Sequence, residues 1–485
     1  MDQFFPPPSP HSGPQPSDTS LLTRKRAPLT NEEVSEALKS CQDDSAPGPS
    51  QVPYKAIKWT WEAHSHALWY LYSNCIELGH YPSPFKASLT AVTSKPNKKD
   101  YTDPSSFRPI QLTECAGKVL DKIVAKRIQF EVACNDIVPG AQFGGRSHSS
   151  TFDAGLSLTQ DIHNAWDKGL KSTALMFDIT GFFNFINHEI LTQRLTILGF
   201  NPTVISLVRG FLSGRHTQIS SPLSPILSIL YSAPLLNIRE LTLHGVTSLA
   251  YIDDGVLLTS SSSLSINTSR LQNAYPILEK FLTDNGLCVQ PKKLEIMHFT
   301  RGPDKENPSF QLPGLERPII APKSLRWLGF HLDRHLHFTH HSRILAAKAT
   351  KTIRAMRILG NTVKGMSHPQ LRTLTLSTIV PILTYGCQLW WGRKFAKSNT
   401  KRLQTALNGA LRLICRGFSS TPVTALQHIA HIPPIELSIH KLCYSSSIRL
   451  HRLLLSNPTF TKIPLSRPTI NLHHLNSLTN LCPDT

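Results

Sequence analysis

The sequence predicts an α+β fold in which acidic strand ends lie between helical regions, the last of them strongly basic. Three observations support this. Residues 248–258 are apolar except for Asp253-Asp254-Gly255 and fit a strand, turn, strand pattern. Residues 173–178 form an apolar run that ends on a carboxylate, Asp178. Between Lys323 and Arg416 there are 17 Lys and Arg against one acid, Asp333, a net +16 in a stretch with helical spacing.

The chain has 485 residues, 40% of them apolar, which is enough for two or three domains and a sizeable core. Its formal charge of +19 points to a polyanionic partner, either nucleic acid or an anionic membrane surface. No apolar stretch reaches the ~18 residues of a membrane span, and the N-terminus lacks a signal-peptide pattern. The expectation is a soluble, intracellular protein with no membrane partner. Nine cysteines without a Cys-x-x-Cys pair fit neither a disulfide framework nor a zinc site, and read as reduced thiols in the core.

In chain order, residues 1–28 are a Pro- and Ser-rich tail with few large apolar side chains. A helix begins after Thr30, with Glu32 and Glu33 in its first turn, where the helix dipole favours acids, and ends before the rigid turn at 45–50. A second helix contains Trp59, Trp61, Leu68 and Leu71. A strand over 89–93 leads through Lys95-Pro96 into the extended segment 106–112, because Arg108 precedes a proline and so avoids the helical region. Lys95 and Arg108 therefore lie on neighbouring extended segments and suit a triphosphate. An ordinary pair of surface cations is the competing reading. A basic helix over 118–130 follows.

A helix over 151–168 precedes the strand ending at Asp178. A desolvated carboxylate needs an answering cation or hydrogen bonds, so Asp178 is either a helix cap or a metal ligand. Residues 182–199 have largely helical apolar spacing. In the 248–258 hairpin, Asp-Asp-Gly suits a tight turn that places both acids at its tip. Carboxylates on stiff backbone suit Mg²⁺, and an ordinary acidic surface turn is the alternative.

The 264–287 helix stops at Asn285-Gly286, and a loop over 288–293 and a strand over 295–299 follow. Residues 325–332 read as one strand. Lys348, Lys351, Arg354 and Arg357 are three apart, so each step drifts about 60° around a helix, and no acids accompany them. They fit a phosphate-tracking face, with a plain solvated face as the alternative. Residues 401–416 form an amphipathic helix with Leu403, Leu407, Ala410, Leu411 and Ile414 on one side. Beyond Pro433-Pro434 only Glu436 and Asp484 are acidic.

Several ordered blocks together resemble the reverse transcriptase of non-LTR (LINE-like) retrotransposons, from about residue 30 to about 435. They are Ala46-Pro47-Gly48-Pro49, Lys95-Pro96, Phe107-Arg108-Pro109-Ile110, Gln142-Phe143-Gly144, Phe177-Asp178-Ile179 with Gly181-Phe182-Phe183, Ser221-Pro222-Leu223-Ser224-Pro225, Tyr251-Ile252-Asp253-Asp254, Lys293 and Trp327-Leu328-Gly329-Phe330. The resemblance implies a right-hand polymerase: fingers with an N-terminal extension over 29–170, a palm with an antiparallel sheet over 171–332, a helical thumb over 333–430 and a tail over 431–485.

It also implies RNA-directed DNA synthesis with two Mg²⁺ ions, or Mn²⁺ in their place. Asp178, Asp253 and Asp254 would be catalytic, and Asp178, Ile179 and Asp253 would hold metal. Lys95, Arg108, Phe183 and Lys293 would bind the nucleotide. Lys293 would protonate the pyrophosphate, and the Phe183 ring would exclude a 2′-hydroxyl. Lys348, Lys351, Arg354 and Arg357 would contact nucleic acid. The implied partners are an RNA template, a DNA primer or target, and deoxynucleoside triphosphates, with the nucleus as location. An intron-maturase polymerase and a catalytically inert nucleic-acid-binding remnant are the competing readings.

The sequence departs from the family pattern in two places. Asn184 stands where the family usually has an acid. Before Ser221 roughly 15 to 20 residues of a strand pair and Gly-x-Pro-Gln-Gly turn are lacking by comparison with that pattern. With no endonuclease or RNase H region in the sequence, the expectation is a truncated or degenerate copy.

Overall fold

The computed structural model describes residues 24–451 apart from 25–26, 97, 99, 147–148, 180–181, 183–185, 215–220, 313–316, 361–364 and 394. The chain packs as two compact units. The first comprises Met1–Ser149, Phe177–Gly255 and Asn273–Lys293, and the second Ser150–Met176, Val256–Gln272 and Leu294–Thr485.

In the first unit, Thr30 and Glu33 form a reciprocal capping box at the start of the Asn31–Lys39 helix. Glu33 also pairs with Arg127 at 2.7 Å, on the Cys115–Cys134 helix. Strands β1 (Ser88–Ser94) and β2 (Phe107–Thr113) pair antiparallel, with Thr93 opposite Arg108.

The remaining large sheet has the order β4-β5-β3-β6, where β3 is Lys171–Asp178, β4 Val246–Tyr251, β5 Asp254–Ser261 and β6 Glu295–Phe299. β3 is buried along most of its length, as its apolar run requires. It pairs antiparallel with β6 from Ser172 opposite Phe299 to Met176 opposite Glu295.

In the second unit the expected single strand at 325–332 is instead a hairpin of β7 (Ser324–Trp327) and β8 (Phe330–Asp333). Leu328 and Gly329 both adopt positive φ, 47° and 84°, the backbone of a two-residue turn matched to strand twist. Tyr385 fixes that turn by donating its hydroxyl to the Leu328 carbonyl at 2.7 Å. The Ala396–Cys415 helix buries Leu403, Leu407, Ala410, Leu411 and Ile414, the face that its spacing predicts.

Within the segment read as a tail, Ile435–His451 forms a helix. Ile435, Ile439 and Cys443 recur every four residues and are buried, a helical period that the Ser- and His-rich composition hides. Arg449 of this helix pairs with the buried carboxylate of Asp153. Among the described residues every cysteine is free, and no helix is long and apolar enough to cross a membrane.

Candidate active site

Two glycines position the acidic hairpin. Gly255 does not make the turn, contrary to the sequence reading: it lies within β5, and the turn is Ile252-Asp253. A β-carbon at Gly255 would stand 2.1 Å from the Phe177 ring, so the glycine is there to let β3 and β5 approach. Ile252 takes φ 60°, unusual for a β-branched residue and a strain of ~1–3 kcal/mol that neighbours must hold in place. Gly144 supplies that support, since a β-carbon there would meet Ile252 Cγ1 at 2.5 Å and Ile252 N at 2.7 Å. The same segment is laced to β4 by Phe143 N–H to Ala250 O (2.9 Å) and Ala250 N–H to Ala141 O (3.0 Å).

This packing brings the two acidic segments together. The Ile179 amide donates to the Asp253 carbonyl at 3.2 Å, so Asp178 and Asp253 sit beside one another on adjoining backbone. Asp254 opens β5 next to them. On the other side of Asp178, Ile179 bridges Val289, and the Gln290 amide donates to the Asp178 carbonyl at 3.2 Å. That segment ends at Lys293, whose ammonium contacts Asp178 Oδ2.

Burial and neighbouring carboxylates act on Asp253 and Asp254. Burial first, then Asp253 and Asp178, push the Asp254 carboxyl up to about 6. Burial also raises Asp253, with Asp178 adding and Lys293 opposing. On the cationic side, Lys95 N–H bonds Ser106 O at 2.8 Å, which continues the β1–β2 pairing toward Arg108. Burial first, then the positive charges of Lys98, Arg108 and Lys293, lower the Lys95 ammonium, so these cations lie near enough to repel one another. Carboxylates on one side and cations on the other suit a metal-bound polyphosphate.

Among the described residues no group of three or more His, Cys, Asp and Glu side chains forms a ready metal cage. Mg²⁺ does not need one: it commonly takes one or two carboxylates and completes its shell with water and substrate phosphates. Asp178 and Asp253 are the carboxylates here that would offer such oxygens to a divalent cation. Ile179 is apolar and buried, so only its carbonyl oxygen is available as a ligand. Phe183 and Asn184 lie outside the described residues, as does the segment 215–220 just before Ser221.

Residues 95–332 match the family described as reverse transcriptase (RNA-dependent DNA polymerase). The matched segment contains Lys95, Arg108, Asp178, Asp253, Asp254 and Lys293. Over 477 residues the chain is 26% identical to the probable RNA-directed DNA polymerase from transposon BS of Drosophila melanogaster, covering 91% of this chain and 51% of that protein. It is 24% identical to the probable RNA-directed DNA polymerase from transposon X-element of the same species, covering 91% and 50%. Against the RNA-directed DNA polymerase from mobile element jockey, also of that species, identity is 23%, covering 80% and 44%. The chain thus spans about half the length of the curated relatives it matches. The motif resemblance to non-LTR retrotransposon reverse transcriptases is borne out.

Within the second unit, Lys348, Lys351, Arg354 and Arg357 are exposed on the Thr339–Leu359 helix. Arg354 and Arg357 also line a groove of ≈ 800 Å³, opposite Lys401 and Arg402 of the Ala396–Cys415 helix. Ala346, Ala406 and Gly409, all small, are among its lining residues. Lys348 and Lys351 are not among its lining residues. The structure thus adds Lys401 and Arg402, which the three-residue spacing on one helix could not reveal.

Proposed function

We propose that the chain is an RNA-directed DNA polymerase of the non-LTR retrotransposon class, extending a DNA primer or target on an RNA template with deoxynucleoside triphosphates. The observation that supports it best is the meeting of Asp178 and Asp253 on adjoining backbone, held by Gly255 and Gly144. In this reading 29–170 serve as fingers and N-terminal extension, 171–332 as palm and 333–430 as thumb. The nucleus, where a DNA target resides, is the proposed location.

Asp178 and Asp253, with the Ile179 carbonyl, would hold Mg²⁺ ions, with Mn²⁺ as substitute. A bound pair of such ions supplies charge stabilisation to the attacking and leaving oxygens of nucleotidyl transfer. Asp254 deepens the negative potential around that position. Lys95 and Arg108 grip the triphosphate, and Lys293 gives a proton to the departing pyrophosphate. Phe183 is proposed to stack under the sugar and exclude a 2′-hydroxyl. Lys348, Lys351, Arg354 and Arg357 neutralise backbone phosphates of the template–primer.

The test is primer extension by the full chain on an RNA template with Mg²⁺. Asp178→Asn and Asp253→Asn should each lower the rate by at least ~10²–10³-fold, the scale of losing a key electrostatic contact. Extension that survives both changes would refute the assignment. A chain that binds the hybrid yet extends nothing would fit a nucleic-acid-binding remnant instead.

A further inference from the structure

Lys293 is fixed by more than its own side chain. Its amide donates to the Gln290 carbonyl at 2.9 Å, and Gln290 is in turn bonded to the Asp178 backbone. Asn285, at the start of this segment, is held by Arg194 through its side-chain oxygen and by the Tyr231 hydroxyl through its carbonyl. The backbone from 285 to 293 is therefore tied at both ends, and it delivers the Lys293 ammonium to Asp178 Oδ2. The Asp178 side chain is 19% exposed, so little water competes for that oxygen.

We infer that Lys293 is a built-in competitor for the metal ion on Asp178: its ammonium and a divalent cation claim the same carboxylate. This rests on the proposed reading of Asp178 as a metal ligand and goes beyond the lysine's part in proton transfer. An ammonium is a compact point charge on a flexible stem, so it can leave one anion for another. A triphosphate gripped by Lys95 and Arg108 offers Lys293 that second anion, and Asp178 is then released to the metal. Before nucleotide arrives, the lysine holds metal affinity down.

The experiment measures Mn²⁺ binding to the full chain without nucleotide, from the electron paramagnetic resonance signal of free Mn²⁺. The Lys293 side chain is 56% exposed, so Lys293→Met and Lys293→Gln are both tolerable substitutions. Each should bind Mn²⁺ about tenfold more tightly than the wild type, a difference of ~1.4 kcal/mol. Unchanged or weaker binding in both variants overturns the inference. Adding Asp178→Asn to Lys293→Met should abolish the gain. A gain that persists in that double variant overturns the inference and also the reading of Asp178 as the ligand.

Discussion

The Phe177 ring lies against Gly255 so closely that a β-carbon there would stand 2.1 Å from Cζ and 2.4 Å from Cε2. These residues precede Asp178 and follow Asp254, so their contact sets how near the acidic segments come. Gly255→Ala should therefore separate them, cutting primer extension by ~100-fold or more, the usual cost of ~1 Å of misplacement. Overpacking should also lower stability by ~1–3 kcal/mol. Phe177→Leu in the same chain removes the colliding ring edge and should restore part of both. Unfolding midpoints and extension rates for the wild type and the two variants check this, and a wild-type-like Gly255→Ala would contradict it.

The raised Asp254 carboxyl makes a stability prediction with a definite sign. Well below pH 3.8 it is protonated in folded and unfolded chains alike. As pH rises from the unfolded value of 3.8 to about 6, the unfolded chain loses the proton first. The unfolded state then binds fewer protons, and stability falls with rising pH, by ~1–2 kcal/mol once solvent screening of this partly exposed group is counted. Above pH 6 the penalty is constant. Asp254→Asn should be more stable than the wild type at pH 7 and equal to it well below pH 3.8, as read from urea midpoints over pH 2.5–7.5. Equal midpoints at pH 7 would refute the prediction.

Nucleic-acid binding by the basic helices should depend steeply on salt. Arg354→Glu with Lys401→Glu, one from each wall of the groove, should weaken binding of an RNA–DNA hybrid and flatten the log–log salt slope by about 1.5–2, as two lost phosphate contacts require. A wild-type slope near zero would show that the +16 charge of residues 323–416 does not engage phosphate.

By comparison with the family pattern the chain is expected to lack a strand pair and Gly-x-Pro-Gln-Gly turn before Ser221, which would pack against template base and nucleotide. Inserting them between Ile219 and Ser221 should raise RNA-templated extension severalfold or more, because positioning of the templating base limits the rate. Mn²⁺ affinity should stay the same, since the carboxylates are held by β3, β5 and Gly144. Extension by the chain as it stands at rates typical of polymerases would show that the insertion is dispensable.

The sequence by itself determined the acidic strand ends, the β1–β2 pairing that neighbours Lys95 with Arg108, the amphipathic helix over 401–416 and the family, because these rest on local periodicity and on the order of short blocks. It misassigned Gly255 to a turn, since a glycine after two aspartates has the local look of a hairpin tip, and the Phe177 ring that requires it lies 78 positions away. Leu328-Gly329 hid a hairpin inside an apolar run for a similar reason: the left-handed backbone at a leucine is stabilised by Tyr385, far along the chain. The pairing of Lys293 with Asp178, the support of Ile252 by Gly144 and the facing of Arg354 with Lys401 were decided only by tertiary structure. Each joins side chains or backbone that no local pattern links, and packing alone brings them within reach.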